Sequence, residues 1–124
     1  MTRTALQRLL QRERLLVLDG AWGTELTRRG LPAGEAPERW NLTNAARVAE
    51  VPGAYCDAGA QVVLTNTFGG SRCKLEKVGL ADRVAEVNRC GAQISKNAVR
   101  DRALVFASVG PTGDFIEPLG TLTV

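Results

Sequence analysis

Three short apolar runs, each followed by polar residues and glycine, set the hydrophobic pattern of this chain. They lie within residues 14–19, 61–66 and 103–109. A continuous apolar run of this length is typical of a strand that is buried on both faces, and such strands occur mainly in parallel sheets. The pattern therefore predicts three parallel strands.

Helical spacing separates the predicted strands. Residues 80–98 carry an apolar side chain at every third or fourth position, with charged residues opposite, which predicts a strongly amphipathic helix. Residues 45–58 have similar spacing, but Pro52 lies inside them. Because proline removes a helical hydrogen bond, this helix is expected either to kink at Pro52 or to begin near Val51.

The remaining segments are expected to surround the sheet. Residues 2–14 are predicted to form a short amphipathic helix before the first strand. Residues 25–40 contain two glycines and two prolines, which predicts a long surface excursion with at most one helical turn at its start. The alternation of strands with helices indicates an α/β fold with right-handed crossovers between parallel strands.

The residues at the ends of the predicted strands are the candidate functional residues. Asp19 ends the first predicted strand, and the sequences TNTFG (65–69) and GPTG (110–113) follow the second and third. Because ligands bind at the carboxyl ends of parallel strands, these three segments predict one rim of a pocket. A carboxylate there is costly to desolvate without a cation, so Asp19 is expected to hold a cationic group such as a substrate ammonium.

Composition narrows the classes of function. The chain has 124 residues, of which 44% are hydrophobic and 23% charged, which is typical of a single globular domain. No apolar stretch approaches the roughly 20 residues that cross a bilayer, and the basic start of the chain has no apolar signal-peptide core, so a cytoplasmic location without membrane attachment is expected. The net charge of +3 is scattered, which argues against nucleic-acid binding.

Missing motifs and residue types exclude further classes. Neither G-x-G-x-x-G nor a phosphate loop ending in GK[ST] occurs, which argues against nucleotide binding. The absence of histidine removes the commonest general base and metal ligand. The chain has an odd number of cysteines, and the three lie far apart in the sequence, at Cys56, Cys73 and Cys90. Free thiols are therefore expected instead of a disulfide framework.

Taken in order, the strand-end motifs resemble the homocysteine S-methyltransferase family. They are DGAWGT at 19–24, TNTFG at 65–69 and GPTG at 110–113. The resemblance covers about 15–124 and implies a (β/α)8 TIM barrel, a fold that typically needs about 250 residues. This chain would supply the N-terminal part, about three β/α units, so residues 1–124 are expected to be a fragment that forms a partial homocysteine-binding domain.

The resemblance also implies roles for individual residues. Asp19 matches the aspartate that receives the amino group of the substrate, and the N–H groups of Gly20 and Ala21 match those offered to its carboxylate. The implied substrate-binding residues are Asp19, Gly20, Ala21, Thr65, Asn66, Thr67 and Gly69, and the implied pocket rim is Trp22, Gly110, Pro111 and Thr112.

Alternatives stay open for several of these residues. Asp19 would alternatively cap a turn without a ligand, and Thr65 and Asn66 would only hold loops together. For Gly110, Pro111 and Gly113 a structural turn is the alternative to direct contact. Trp22 stands where the family often has methionine, so its ring would either narrow the pocket or pack under the loop.

The implied reaction is transfer of a methyl group to the sulfur of homocysteine, which gives methionine. The family binds the substrate thiolate to zinc through three cysteines of later strands. Cys56, Cys73 and Cys90 lie elsewhere, so neither a metal site nor a catalytic residue is expected here, and the isolated chain is expected to be inactive. Methylcobalamin or methylfolate, betaine and S-methylmethionine all stay open as methyl donors.

A second hypothesis belongs to a different class. The chain would be a truncated, non-catalytic α/β module that acts only by assembly with another chain. A partial barrel exposes a sheet edge, which would also allow self-association.

Overall fold

Two parallel strands and six helices make up residues 3–123, the part of the chain that the computed structural model describes. The helices are α1 (Arg3–Arg12), α2 (Trp22–Arg28), α3 (Trp40–Thr43), α4 (Ala45–Asp57), α5 (Arg72–Glu76) and α6 (Val84–Val99). The strands are β1 (Val62–Leu64) and β2 (Leu104–Phe106). Single 3-10 turns, Pro37–Arg39 and Ala81–Arg83, lead into α3 and α6.

The second and third predicted strands are confirmed and shorter than predicted. β1 and β2 pair in parallel, with Val63 opposite Val105. Val62 and Val63 are almost completely buried, because α4 packs against β1, α6 packs against β2, and Val99 of α6 lies in one cluster with Val63. The mixed α/β fold with parallel strands follows from this pairing.

The prediction of a regular, fully buried strand over 14–19 is wrong. Only Leu18 forms a parallel bridge, opposite Val62, although the backbone continues the ladder with Asp19 N donating to Val62 O at 3.0 Å. Leu15 is 83% exposed and Leu18 is 52% exposed. Among the described residues this segment pairs with β1 alone, so it lies at an edge where no second strand covers its side chains.

The helix predicted over 80–98 is confirmed as α6, and it begins later because its first residues form a 3-10 turn. The helix predicted before the first strand is confirmed as α1, although Thr2 lies outside the described residues. α4 runs from Ala45 to Asp57 through Pro52, so the alternative of a late start near Val51 is wrong, and the kink at Pro52 stays a prediction. Val51 and Pro52 are both buried, and this packing offsets the missing hydrogen bond to the carbonyl of Val48.

The segment between 25 and 40 is not a surface excursion, and this prediction is wrong. α2 begins at Trp22 and packs against α4. Leu26 is fully buried, and Leu31 and Trp40 are 7% exposed. Together with Val48 and Val51 they form the largest apolar cluster of the described residues, so hydrophobic burial decides the path of a segment whose glycines and prolines suggested a loop.

α6 approaches the end of β1 so closely that Gly91 leaves no room for a side chain. A Cβ atom there would lie 2.7 Å from Asn41 Nδ2 and 2.8 Å from the Thr67 methyl group. We expect Gly91→Ala to lower the free energy of unfolding by about 1–3 kcal/mol because of overpacking. Urea denaturation measures this change.

Gly53→Ala is the matched control, because Gly53 lies in α4 with no atom within 4 Å of its Cβ position. This variant is expected to gain up to about 1 kcal/mol of helix propensity. A Gly91→Ala variant as stable as wild type would contradict the close packing of α6.

Candidate functional site

Asp19 lies at the carboxyl end of the edge segment, next to the end of β1. Its Oδ2 atom accepts two hydrogen bonds, from Leu64 N at 2.8 Å and from Trp22 Nε1 at 2.7 Å. No residue within 3–123 donates a hydrogen bond to Oδ1. The carboxylate is half-buried, and a neutral indole and a backbone N–H hold it without neutralising its charge.

The turn after Asp19 is held by Tyr55 of α4. The Tyr55 hydroxyl donates to the carbonyl of Ala21 at 2.8 Å. A Cβ at Gly20 would lie 3.1 Å from that hydroxyl oxygen, so glycine permits the close approach. Burial raises the pKa of Tyr55, and the negative charges of Glu25 and Asp19 act in the same direction. The hydroxyl therefore remains a donor over the neutral range.

A ring of hydrogen bonds joins the ends of β1 and β2. Ser108 N donates to Thr65 Oγ1 at 3.0 Å, and Thr67 Oγ1 donates to Ser108 O at 2.8 Å. The two threonine hydroxyls are 2.6 Å apart, and Thr65 is the donor since the Thr67 proton points to Ser108 O. Both hydroxyls thus hold loops together, and their contact with substrate stays a prediction.

Asn66 pairs with Asn41 in the interior. Asn66 Nδ2 donates to Asn41 Oδ1 at 2.9 Å and to Pro37 O at 2.9 Å. Asn41 Nδ2 in turn donates to Asn66 O at 2.8 Å and to Val87 O at 3.1 Å. The Asn66 amide therefore anchors the end of β1 to α3 and to the 3-10 turn before it, and Asn41 extends this link to α6. The role of Asn66 in substrate binding stays a prediction.

The sequence interpretation missed Glu38, which is only 5% exposed. Its Oε1 atom accepts a hydrogen bond from Gly69 N at 2.7 Å. A Cβ at Gly69 would lie 2.9 Å from Glu38 Oε2, so this glycine is needed for the approach. An acid directly after Pro37 at a helix start was the available signal, but it lies in the segment that was interpreted as exposed.

The loop after β2 reaches the same edge. Gly110 N donates to Phe68 O at 3.1 Å, which brings the predicted rim residue Gly110 beside the 65–69 loop. Thr112 donates its hydroxyl to Asp114 O within its own turn, and Pro111 is exposed. Gly110 is therefore bonded directly to the loop after β1. The hydroxyl of Thr112 bonds only two residues further along the chain, to Asp114.

A cavity of about 570 Å³ opens beside these loops. Its lining includes Trp22, Glu38, Thr65, Phe68, Lys74 and Ser108. Asp19 is not part of this lining, but Trp22, which contacts Asp19, is. The cavity thus lies next to the carboxylate and is bounded by the residues that position it.

Metal ligands are not assembled in the described part of the chain. Within residues 3–123, no three His, Cys, Asp or Glu side chains are grouped so as to hold a metal ion. Cys56, Cys73 and Cys90 are half-buried free thiols on α4, α5 and α6, and burial raises the pKa of Cys56. None of the helices in 3–123 has the length and apolar character that a membrane crossing requires.

Comparison of sequences gives one matching family. The profile of the family described as homocysteine S-methyltransferase matches residues 16–123. Methionine synthase of Mycobacterium tuberculosis is 29% identical over 111 residues, and the match covers 80% of this chain and 9% of that protein. Methionine synthase of Mycobacterium leprae is 28% identical over the same length, with the same coverage.

Comparison of structures agrees. The metallated form of the homocysteine methyltransferase MmuM from Escherichia coli superposes with a TM-score of 0.77 and 27% identity. That match covers 87% of this chain and 42% of MmuM. The oxidized form of MmuM gives a TM-score of 0.76 at 24% identity. The chain therefore spans less than half of MmuM and about a tenth of the methionine synthases.

Removal of the Glu38 carboxylate tests how the 65–69 loop is held. Glu38→Ala leaves the Gly69 N–H without its acceptor, and we expect a loss of about 1–3 kcal/mol in the free energy of unfolding. Glu38→Gln retains an acceptor oxygen and should lose less. Glu76→Ala, at an exposed position of α5, is the control and should stay within about 0.5 kcal/mol. Equal stability of the two alanine variants would contradict this role.

The raised pKa of Tyr55 predicts a specific loss of stability at alkaline pH. Above pH about 10, the unfolded chain loses the tyrosine proton while the folded chain retains it. The contribution of Tyr55 is therefore complete below that pH and declines as the pH rises through the raised pKa. The difference in unfolding free energy between wild type and Tyr55→Phe should shrink there.

Tyr55 is the only tyrosine of the chain, so tyrosinate absorbance follows its titration directly. A stability difference that stays constant across the alkaline range would contradict the raised pKa of Tyr55.

Proposed function

Because the chain belongs to the homocysteine S-methyltransferase family, we propose that it binds homocysteine at the strand edge that carries Asp19. Binding there serves transfer of a methyl group to the homocysteine sulfur, which gives methionine. The observation that carries this proposal is the hydrogen bonding of the Asp19 carboxylate. Its Oδ2 atom accepts from Leu64 N and the Trp22 indole, while Oδ1 receives no hydrogen bond from residues 3–123.

The ammonium group of an amino acid matches this carboxylate. Asp19 is half-buried, and no lysine or arginine within 3–123 hydrogen-bonds to it. A half-buried charge without a cation is costly, and an ammonium brings three donors together with the opposite charge. We assign Oδ1 to the homocysteine ammonium, where a charge-assisted hydrogen bond forms.

The substrate carboxylate belongs at the turn that follows Asp19. Ala21 N has no acceptor among the described residues, so its N–H group remains for the carboxylate. The Gly20 N–H is the second donor in this assignment, and it also faces the Tyr55 hydroxyl oxygen, whose pKa it lowers. The other substrate-binding residues of this proposal follow β1, and the remaining residues form the rim of the pocket. The former are Thr65, Asn66, Thr67 and Gly69, and the latter are Trp22, Gly110, Pro111 and Thr112.

We propose that the three parallel segments are the first strands of a (β/α)8 barrel and that residues 1–124 form a partial homocysteine-binding domain. The superposition on MmuM, of which this chain covers 42%, supports this fold. The exposed apolar side chains of Leu15, Val17 and Leu18 support it as well. Further strands of a barrel would cover them.

Zinc, which the family resemblance implies, has no fitting ligand set in this part of the chain. The three cysteines lie on three different helices, and no group of three ligands forms within 3–123. We propose that the isolated chain binds homocysteine without turning it over. The methyl donor stays open among methylcobalamin or methylfolate, betaine and S-methylmethionine.

A second candidate function is non-catalytic assembly with another chain. The exposed edge segment with Leu15, Val17 and Leu18 favours it, because an uncovered strand edge with apolar side chains promotes association. Homocysteine binding decides between the two functions, since an assembly module has no need of it.

Asp19→Asn tests the proposed function. Without the carboxylate charge, we expect homocysteine affinity to fall at least about tenfold, which corresponds to about 1.4 kcal/mol. Titration calorimetry under reducing conditions measures it. The ligand 4-mercaptobutyrate, which lacks the amino group, should bind wild type and Asp19→Asn alike.

Asp57→Asn is the matched control, because the Asp57 side chain is 73% exposed and pairs with Arg102, which lies between α6 and β2. It should bind homocysteine as wild type does. Wild-type protein that binds no homocysteine, or an Asp19→Asn variant that binds it equally well, would refute the proposal.

A further inference from the structure

We propose that Trp22 is a positioning residue that sets the direction of the Asp19 carboxylate and so keeps Oδ1 available to the ligand ammonium. The inference rests on the proposed binding of homocysteine at Asp19. It starts from one contact, the 2.7 Å hydrogen bond from Trp22 Nε1 to Asp19 Oδ2. The family resemblance gave Trp22 only two roles, narrowing the pocket or packing under the loop.

Two donors on one oxygen fix the carboxylate. The terminal torsion of an aspartate is broad, so the side chain does not orient its own oxygens. Leu64 N, 2.8 Å from Oδ2, belongs to β1 and is held by the sheet. A single donor would still allow the carboxylate to rotate about that contact. The second donor, the Trp22 indole, removes this freedom and directs Oδ1 away from the protein donors.

Trp22 is itself held in place. It is the first residue of α2 and packs, half-buried, against the cluster formed by Leu26, Trp40 and their neighbours. The preceding carbonyl, Ala21 O, accepts the hydrogen bond of Tyr55. The indole is therefore fixed from both its ring and its backbone, as a positioning group must be.

The chemistry of the indole suits this role better than a cation would. An indole has a single N–H donor and no acceptor, so it contacts one carboxylate oxygen, here Oδ2. It is also neutral and leaves the charge of Asp19 for the ligand. A lysine or arginine in its place would occupy the carboxylate as an ion pair and compete with the substrate ammonium.

The first test is spectroscopic and needs no ligand. Trp22 and Trp40 are the two tryptophans of the chain, so the protein has two indole N–H signals in a proton–nitrogen NMR spectrum. Asp19→Asn replaces a charged acceptor by a neutral one, and we expect the Trp22 indole proton to shift upfield. The Trp40 signal serves as the internal control and should stay in place. An unmoved Trp22 signal would overturn the inference.

The second test compares two ligands. Trp22→Phe retains an aromatic ring in the cluster but removes the donor. We expect homocysteine to bind it about three- to tenfold more weakly, with little change for 4-mercaptobutyrate. In the Trp22→Phe/Asp19→Asn double variant, homocysteine should bind no more weakly than in Asp19→Asn alone, because both changes act through one carboxylate. Trp40→Phe, the same change in the buried cluster, should leave the ratio of the two affinities unchanged.

The outcomes separate this inference from the proposed function. If Asp19→Asn weakens homocysteine binding and Trp22→Phe does not, the positioning role alone is overturned. If Trp22→Phe weakens both ligands equally, Trp22 only shapes the cavity and the role is again overturned. If Asp19→Asn has no effect on homocysteine, the proposed function fails and the role fails with it. Should Trp22→Phe not fold by circular dichroism, the indole shift in Asp19→Asn decides.

Discussion

Parallel pairing of the edge segment with β1, and of β1 with β2, is the constraint on which the whole site depends. Asp19 N donates to Val62 O at 3.0 Å and Thr65 N donates to Phe106 O at 3.1 Å, so the ladder continues to the very ends of the strands. Residues more than forty positions apart in the chain therefore meet at one edge. A slip of one residue in register would turn each of their side chains to the other face of the sheet.

The edge is stabilised mainly by neutral hydrogen bonds. The ring of Thr65, Thr67 and Ser108 closes the two strand ends, and the Asn41–Asn66 pair ties them to the helices. In the described part of the chain every buried side-chain nitrogen and oxygen has a partner. Both acids of this region, Asp19 and Glu38, accept from backbone N–H groups. The polar network thus costs little to bury. Within residues 3–123 no basic residue pairs with Asp19.

Continuous apolar runs were sufficient to predict β1 and β2, and helical periodicity was sufficient to predict α6. The strand-end rule was sufficient to place Asp19 next to the end of β1. These features depend on local spacing and on a general property of parallel sheets. The burial of Leu26 and Trp40 and the role of Glu38 depend on partners that lie far away in the sequence, and their segment carries glycines and prolines instead of a period. The sequence also did not predict the exposure of Leu15, because an apolar run does not show whether a second strand covers its side chains. Neither did spacing indicate that the Trp22 indole reaches back to Asp19.

The most direct measurement is a crystal structure of the chain with bound homocysteine. Our prediction is that the substrate ammonium lies within hydrogen-bond distance of Asp19 Oδ1, while Oδ2 keeps its contacts with Leu64 N and the Trp22 indole. Homocysteine seated with its amino group away from Asp19, for instance in the cavity beside Glu38 and Lys74 alone, would contradict it.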